Sequence, residues 1–584
     1  MDLEKFRILI VDLNTKKASI ETFDGRKEYL GGSGLCAKLF SHFGKKDKPA
    51  LDPDQPVIFS VGPLTGLFPM MSKTVMAFKS PYNEQYTESH AGGRSALAIR
   101  FAGYDGIVII GRAKELSVLK ISSNSVKVEP TPYLKGLDIF ASGKIMRRIR
   151  PALSGQRSIL RIGPAGENLV PISCVNVDTY RHFGRLGGGA VLGSKNLKGI
   201  IITGDQGLEI DPSLKKEYTK TYKKLFDLVT KTKAVHKYHD LGTAENLIPL
   251  NKLKALPWRN LKQTSDPKAV NISGEYFGDH LLLRQIACAG CPVGCIHIGL
   301  LREAFGEEHE FLYHQVSYDY EPIFALGSML GITDPKGVLK LIEETEKWGL
   351  DAISTGVSLA WATEALEKGI VSTDETLVSL KFGNLSGYLS AIKFLGNREN
   401  EFYTRLGCLA HDAIKHYGGE DFACVLGQEM AGYATGENFF VSQALGFRHS
   451  HLDLGAYSFD QQNGSKDIEK ALEFFDKEEV YRCLLTSLVG CLFARKAYVW
   501  ENIVETLNSI GLSFDEEECK RAGKRIQKLR WRLKFETGFD PEKVNIPNRF
   551  FEVVNWKGKI DKEYLLSLKK RYSDYLKNLV FDKS

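Results

Sequence analysis

The stretch Ala287-Cys288-Ala289-Gly290-Cys291-Pro292-Val293-Gly294-Cys295 constrains this chain more than any other. Three cysteines spaced C-x-x-C-x-x-x-C, with glycine and proline between them, describe a loop that folds back so that thiolates converge on one inorganic centre. A structural zinc site normally draws on two C-x-x-C halves or a histidine pair, and only His297 lies just downstream. Iron-sulfur clusters are held by thiolates, commonly from one compact loop plus a fourth cysteine elsewhere in the chain. On spacing alone an iron-sulfur cluster, zinc and buried unligated thiols all stay open.

The chain's 584 residues exceed what one hydrophobic core organises, so several domains are expected. Lys and Arg number 78 against 71 Asp and Glu, and this slight basic excess is dispersed, so nucleic acid is not the default partner. The charged start, Met1-Asp2-Leu3-Glu4-Lys5-Phe6, and the lack of a long apolar run lead to the expectation of a cytoplasmic protein with no membrane span. Ten cysteines are too few and too irregular for a disulfide scaffold. Cys36, Cys174, Cys408, Cys424 and Cys519 read as small buried residues.

Short β-branched runs separated by glycine and proline turns fill the first third: Ile8–Val11, Val57–Phe59, Thr74–Phe78, Ile107–Ile110 and Ile200–Ile202. Beyond about residue 210 the pattern turns helical. Val338, Leu341, Ile342 and Thr345 fall at helical spacing within Pro335–Trp348, Gly349 supplies a stop, and Asp351 can cap a helix running toward Glu367. The expected fold class is α+β: a β-rich base domain over 1-207, then mainly helical domains over 208-421 and 422-584.

Three glycine-rich places invite a phosphate. Gly32-Ser33-Gly34-Leu35-Cys36-Ala37 fits a loose dinucleotide fingerprint but lacks its acidic partner. Gly188 to Lys195 resembles a P-loop with its last two residues exchanged, and Ala91-Gly92-Gly93-Arg94 is the third. Tight turns account for each singly; together, beside a metal loop, they suit a bulky phosphorylated cofactor.

The ordered set Lys79-Ser80-Pro81, Ala91-Gly92-Gly93, Phe101-Ala102-Gly103-Tyr104-Asp105-Gly106, Gly184 through Lys198 and the Cys288 loop resembles the tungsten-containing aldehyde:ferredoxin oxidoreductases over nearly the whole chain. The resemblance implies tungsten held by two pterin dithiolenes, a neighbouring [4Fe-4S] cluster, and a Mg2+ bridging the pterin phosphates. It places Lys73, His90, Ala91, Gly92, Gly93, Arg185, Leu186 and Gly187 against that cofactor. The family's pterin motifs read D-x-x-G-L-D and D-x-x-G-L-C. The first resembles Glu346-Lys347-Trp348-Gly349-Leu350-Asp351, whose carboxylates can accept from pterin N–H donors; the same residues serve equally as a helix end and an N-cap. The second falls on Thr486-Ser487-Leu488-Val489-Gly490-Cys491, where Thr486 replaces the carboxylate and Val489-Gly490 replaces Gly-Leu.

Carried over residue by residue, the cluster ligands become Cys288, Cys291, Cys295 and Cys491, with Cys483 a fallback for the last. The family's catalytic glutamate maps onto Glu321 and its histidine onto His449, with His451 the runner-up. Such a pair could activate water and polarise a carbonyl oxygen. The implied reaction is aldehyde oxidation to the acid, with electrons leaving through the cluster to ferredoxin or a ferredoxin-like, even polyferredoxin, small subunit. The middle domain has no Glu-x-x-His, so the family's iron-bridged homodimer is not expected. The cation-rich stretch Lys520 to Lys534 reads as a solvated helix face or a dock for an acidic ferredoxin. The contrasting reading is a non-catalytic iron-sulfur electron-transfer subunit whose altered pterin motifs no longer support chemistry.

Overall fold

The computed structural model describes residues 4–149, 155–305, 310–462 and 466–581. The chain forms two compact units interleaved in sequence. The first is Met1–His236, Ala287–Val293 and Glu479–Phe539; the second is Lys237–Ile286, Gly294–Glu478 and Asp540–Ser584. None of their boundaries falls at residue 207 or 421. One reason is the helix Lys215–Lys231, whose Lys224 pairs with Glu505 at 2.5 Å within the first unit.

The first unit carries the expected β-rich base. Strands β1 (Lys5–Asp12), β2 (Lys17–Asp24), β3 (Val57–Ser60), β4 (Thr74–Lys79), β5 (Tyr86–Ala91) and β6 (Gly106–Ile110) form one sheet in the order β2-β1-β6-β3-β4-β5. Strands β7 (Ser117–Ser122), β8 (Val126–Pro130), β9 (Gln156–Arg161), β10 (Val175–Val177), β11 (Arg181–Phe183) and β12 (Leu197–Gly204) form a second, ordered β11-β10-β9-β12-β7-β8. The apolar run of β3 and the mixed run of β4 are buried along their whole length, as strands covered on both faces should be.

The helix Glu516–Glu536 also belongs here; Arg521, Arg525 and Arg532 are exposed as a solvated face would have them, but two of its cations are not. Asp515 and Glu518 close a capping box at its start. Its Arg530 and Lys534 then point into the protein, 5% and 1% exposed, beside the buried Trp531.

In the second unit the helix signals hold. Asp334 caps Pro335–Trp348 by accepting from the Lys336 and Gly337 N–H groups, Gly349 ends it at φ 73°, and Asp351 caps Ala352–Glu367. The periodicity did not foretell a three-stranded antiparallel sheet of β13 (Leu282–Ile286), β14 (Ile296–Ala304) and β15 (Phe311–Tyr318). In chain order the cysteine loop is the connection between β13 and β14. Among the described residues no helix is long and apolar enough to cross a membrane.

Candidate active site

Each unit carries its own set of candidate side chains. In the first, β5 runs out into Gly92 and Gly93, the latter at φ 99°, a left-handed conformation that favours glycine. The cysteine loop lies against this turn, with the Ala289 N–H donating to the Gly93 carbonyl at 3.0 Å. Met70 ties the loop to the distant Cys491: its N–H donates to the Gly290 carbonyl and its own carbonyl accepts from the Cys491 N–H, both at 3.0 Å. Cys288, Cys291 and Cys491 are half-buried members of this one unit, whereas Cys295 lies in the segment Gly294–Glu478 of the other.

Gly92 is where chemistry-bearing groups crowd. A Cβ on it would stand 2.5 Å from the Cys288 Sγ, 3.4 Å from the Lys73 Nζ and 3.6 Å from the Arg181 Cδ. Two cations beside a cysteine suit an anionic, phosphate-bearing cofactor next to a thiolate-held centre. Arg181 had no distinguishing signal in the sequence. Arg185 is half-buried and leads through Leu186 (φ 71°) and Gly187 (φ 86°) into the helix Gly188–Ser194, with the Ser80 hydroxyl donating to the Leu186 carbonyl at 2.8 Å.

His90 belongs to a buried network. Its Nε2 lies 3.2 Å from Glu88 Oε2, which also accepts from the Ser33 hydroxyl at 2.7 Å, while Glu88 Oε1 accepts from Arg530 Nε at 2.9 Å. Arg530 also donates to the Cys483 sulfur at 3.0 Å. Burial pushes the Cys483 thiol up to about 12, and its sulfur takes the Arg530 hydrogen bond, whereas Cys491 is half-buried.

The two pterin-motif stretches, one in each unit, have the same backbone. In the first, Gly349 N–H donates to the Glu346 carbonyl at 2.9 Å and Leu350 N–H to the Thr345 carbonyl at 3.1 Å. In the second, Val489 N–H donates to Thr486 at 3.2 Å and Gly490 N–H to Leu485 at 2.9 Å. Both are Schellman helix ends, and the left-handed residue is Gly349 in one and Val489, at φ 58°, in the other. A β-branched residue there stores about 1–3 kcal/mol of strain. The Thr486 hydroxyl turns back to the Arg482 carbonyl at 2.8 Å. Glu346 and Asp351 are buried, and Asp351 accepts from the Ile353 and Ser354 N–H groups at 3.2 and 3.1 Å.

The second unit's set centres on Glu321, in the first turn of the helix Tyr320–Leu326. Its Oε1 accepts from the Tyr433 hydroxyl at 2.9 Å and stands 3.1 Å from His451 Nε2. Burial pushes the Glu321 carboxyl up, but the His451 hydrogen bond and charge and the Tyr433 hydroxyl outweigh it and hold the group below the ordinary range. Tyr433 stacks on His451 at 5.2 Å and on Tyr457 at 4.8 Å, fixing the ring planes. The buried His451 Nδ1 has no hydrogen-bond partner among the described residues.

Of the two candidate histidines, the structure sets the runner-up, His451, against Glu321. His449 sits in a left-handed turn at φ 51°, packs against Gly427 and directs its Nδ1 to the Ala444 carbonyl at 2.9 Å. His451, two residues later, starts a short helix capped by Ser450, and it is this ring that meets Glu321. Tyr433 had no sequence signal, since 112 residues separate it from Glu321. Among the described residues no three His, Cys, Asp or Glu side chains stand together as a ready metal site. The fit to a phosphate-bearing cofactor rests instead, within the first unit, on the cationic groups and the cysteine at Gly92.

Residues 8–204 match the family profile for the aldehyde ferredoxin oxidoreductase N-terminal domain, and 220–583 match that for domains 2 and 3. The chain belongs to the aldehyde ferredoxin oxidoreductase family. It is a divergent member. The tungsten-containing aldehyde ferredoxin oxidoreductase of Pyrococcus furiosus is 28% identical over 94% of this chain and 91% of its own length. That of Thermococcus kodakarensis is also 28% identical, over 98% and 95%. An aliphatic sulfonate oxidoreductase, WOR-like subunit, from Pyrococcus furiosus is 27% identical over 94% and 89%. Among solved structures, the active site complex BamBC of benzoyl coenzyme A reductase with 1,5-dienoyl-CoA superposes with TM-score 0.80 at 20% identity, over 98% of this chain and 95% of that one. That likeness concerns the fold alone.

Proposed function

We propose that this protein oxidises an aldehyde with water to the carboxylic acid, releasing two protons and two electrons per turnover. The observation that carries the reading is Glu321, half-buried and held below the ordinary carboxyl range by two donors that both engage Oε1. Oε2 is then the atom that takes the proton from the attacking water. With both ring nitrogens protonated, His451 donates through Nε2 to Glu321 and through Nδ1, aimed away from Glu321, to the carbonyl oxygen as charge develops there.

Within the first unit, Lys73, Arg181, Arg185 and the Ala91-Gly92-Gly93 turn would hold a tungsten bis-pterin; Glu346 and Asp351 are the carboxylates that the family motif assigns to it. The second helix end, Thr486 to Gly490, would offer backbone groups and a hydroxyl where the family has a carboxylate. When bound, this group supplies a two-electron centre for the carbonyl carbon. Cys288, Cys291, Cys295 and Cys491 would hold a [4Fe-4S] cluster, an assignment that follows the family motif and is supported by Met70 joining the loop to Cys491. Ferredoxin or a small iron-sulfur subunit would take the electrons one at a time.

Purified enzyme should contain about one tungsten per chain besides iron and reduce viologen in the presence of an aldehyde, as the cofactor's chemistry requires. Iron without tungsten, and no aldehyde-dependent reduction, would instead identify an electron-transfer subunit. A second expectation concerns the loop itself. Gly92→Ala puts a methyl 2.5 Å from the Cys288 sulfur, so the loop must move; the folded variant should lose most of its iron by metal analysis while its circular dichroism stays native. Full iron content in that variant would remove Cys288 from the ligand set.

A further inference from the structure

We propose that the helix Lys215–Lys231, together with the rim of the cysteine loop, is the docking surface for an acidic iron-sulfur protein. The proposal rests on the reading of that loop as a cluster site. Its evidence lies within the first unit. The helix carries six lysines against only Glu217 and Asp227. Lys220 pairs with Glu217 at 3.3 Å, Lys231 with Asp227 at 3.4 Å and Lys224 with Glu505 at 2.5 Å. Among the described residues Lys215, Lys216 and Lys223 have no such carboxylate partner, and all three are exposed.

Beside these cations runs an open aromatic edge. Tyr222 and Phe226 stack at 6.1 Å and are 37% and 39% exposed, although Thr221, Leu225 and Val229 of the same helix are buried. At about 100° per residue, Lys215, Tyr222 and Phe226 fall on one narrow strip at the margin of the buried stripe. Exposed aromatics supply short-range contact area, and unpaired lysines supply long-range attraction for an acidic surface.

The strip is joined to the cysteine loop through one short segment. The Tyr218 hydroxyl donates to the Leu67 carbonyl at 2.7 Å, and the Phe68 ring meets Tyr218 edge-on at 5.3 Å. The Tyr498 hydroxyl donates to the Pro69 carbonyl at 2.7 Å, and the Met70 N–H to the Gly290 carbonyl at 3.0 Å. Leu67 to Met70 spans at most about 10 Å of chain. Gly290 and Pro292 are exposed, so a partner seated on the helix also covers the loop's apex. A second copy of this chain is the poorer occupant, because a two-fold contact would set lysines against lysines. Each electron passed reduces one cluster of the partner, so one aldehyde oxidation reduces two acceptor clusters.

The test uses the loaded full-length enzyme and, as probe, an oxidised bacterial 2[4Fe-4S] ferredoxin of strongly negative charge. Lys215→Glu with Lys223→Glu should weaken ferredoxin binding at low salt by about 10-fold or more and flatten its salt dependence. Viologen reduction should stay at the parental rate. Arg521→Glu with Arg525→Glu, on the exposed side of the other cationic helix, should leave binding unchanged. Unchanged binding in the first variant, or equal loss in the second, overturns the proposal. So does a change only in self-association, seen by sedimentation, which would give the surface to a second copy. Because binding is read directly, it decides the docking surface even if aldehyde-dependent viologen reduction fails, and that second failure would fall on the proposed reaction alone.

Discussion

Replacing Glu321 by Gln is expected to lower aldehyde turnover by about 10²–10⁴-fold, the usual contribution of a positioned base, with tungsten and iron at parental levels. The amide oxygen can still accept from the Tyr433 hydroxyl and face His451, so the local geometry survives while the proton acceptor is lost. Metal loss in this variant would make Glu321 a structural residue. The pH profile gives a second readout. Burial raises the Glu321 carboxyl and the His451 and Tyr433 contacts lower it further than burial raises it, so the ionised base persists as pH falls until the depressed value is crossed. Tyr433→Phe removes one of those donors and should move the acid limb of kcat to higher pH. His451→Gln should move it the same way, and His449→Gln should leave it in place because His449 is spent on the Ala444 carbonyl. A shift with His449→Gln but not with His451→Gln would return the role to His449.

The features legible in the sequence were those set by near neighbours. A proline after Asp334, a glycine at 349 and an aspartate at 351 act within one or two turns, and the two helices they delimit are where the spacing puts them. The β-branched runs of the base likewise become strands. The second motif shows how far such reasoning reaches: at Thr486–Cys491 the residue types depart from the family pattern, yet the Schellman hydrogen bonds repeat those at Glu346–Asp351. The choice between His449 and His451 was not legible, because a left-handed turn and a helix start between them decide which ring faces Glu321. Nor were the interleaved units, since a helix from after residue 479 joins strands from before residue 210 only through tertiary contacts such as Tyr86 N–H to the Thr537 hydroxyl at 2.8 Å.

The least legible feature, the buried cation in a helix that reads as solvated, carries the largest expected stability effect. Arg530 grips Glu88 at both oxygens, Nε to Oε1 at 2.9 Å and Nη2 to Oε2 at 3.2 Å, and the Glu88 side chain is wholly buried. Arg530→Met should therefore cost about 3–5 kcal/mol, because the carboxylate left behind has lost its countercharge. Adding Glu88→Gln should recover part of that loss, and a double variant no better than the single would mean that packing around Arg530 dominates. The pH dependence fixes the sign. Burial pushes Glu88 up, but the Arg530 charge and then His90 bring it down to about 2 from 4.5. A depressed carboxyl contributes stability that is fully present above about 4.5 and is lost as pH falls through about 2. Without Arg530 the lesser His90 and Ser33 contacts are left to oppose the burial effect, so the carboxyl should rise above its unfolded value and the variant should lose stability as pH rises. The gap between parent and variant, measured by denaturant unfolding, should thus widen from pH 5 to pH 8. Because Glu88 also orients His90, at the end of β5 beside Ala91-Gly92-Gly93, the same substitution should loosen the turn on which the cysteine loop rests.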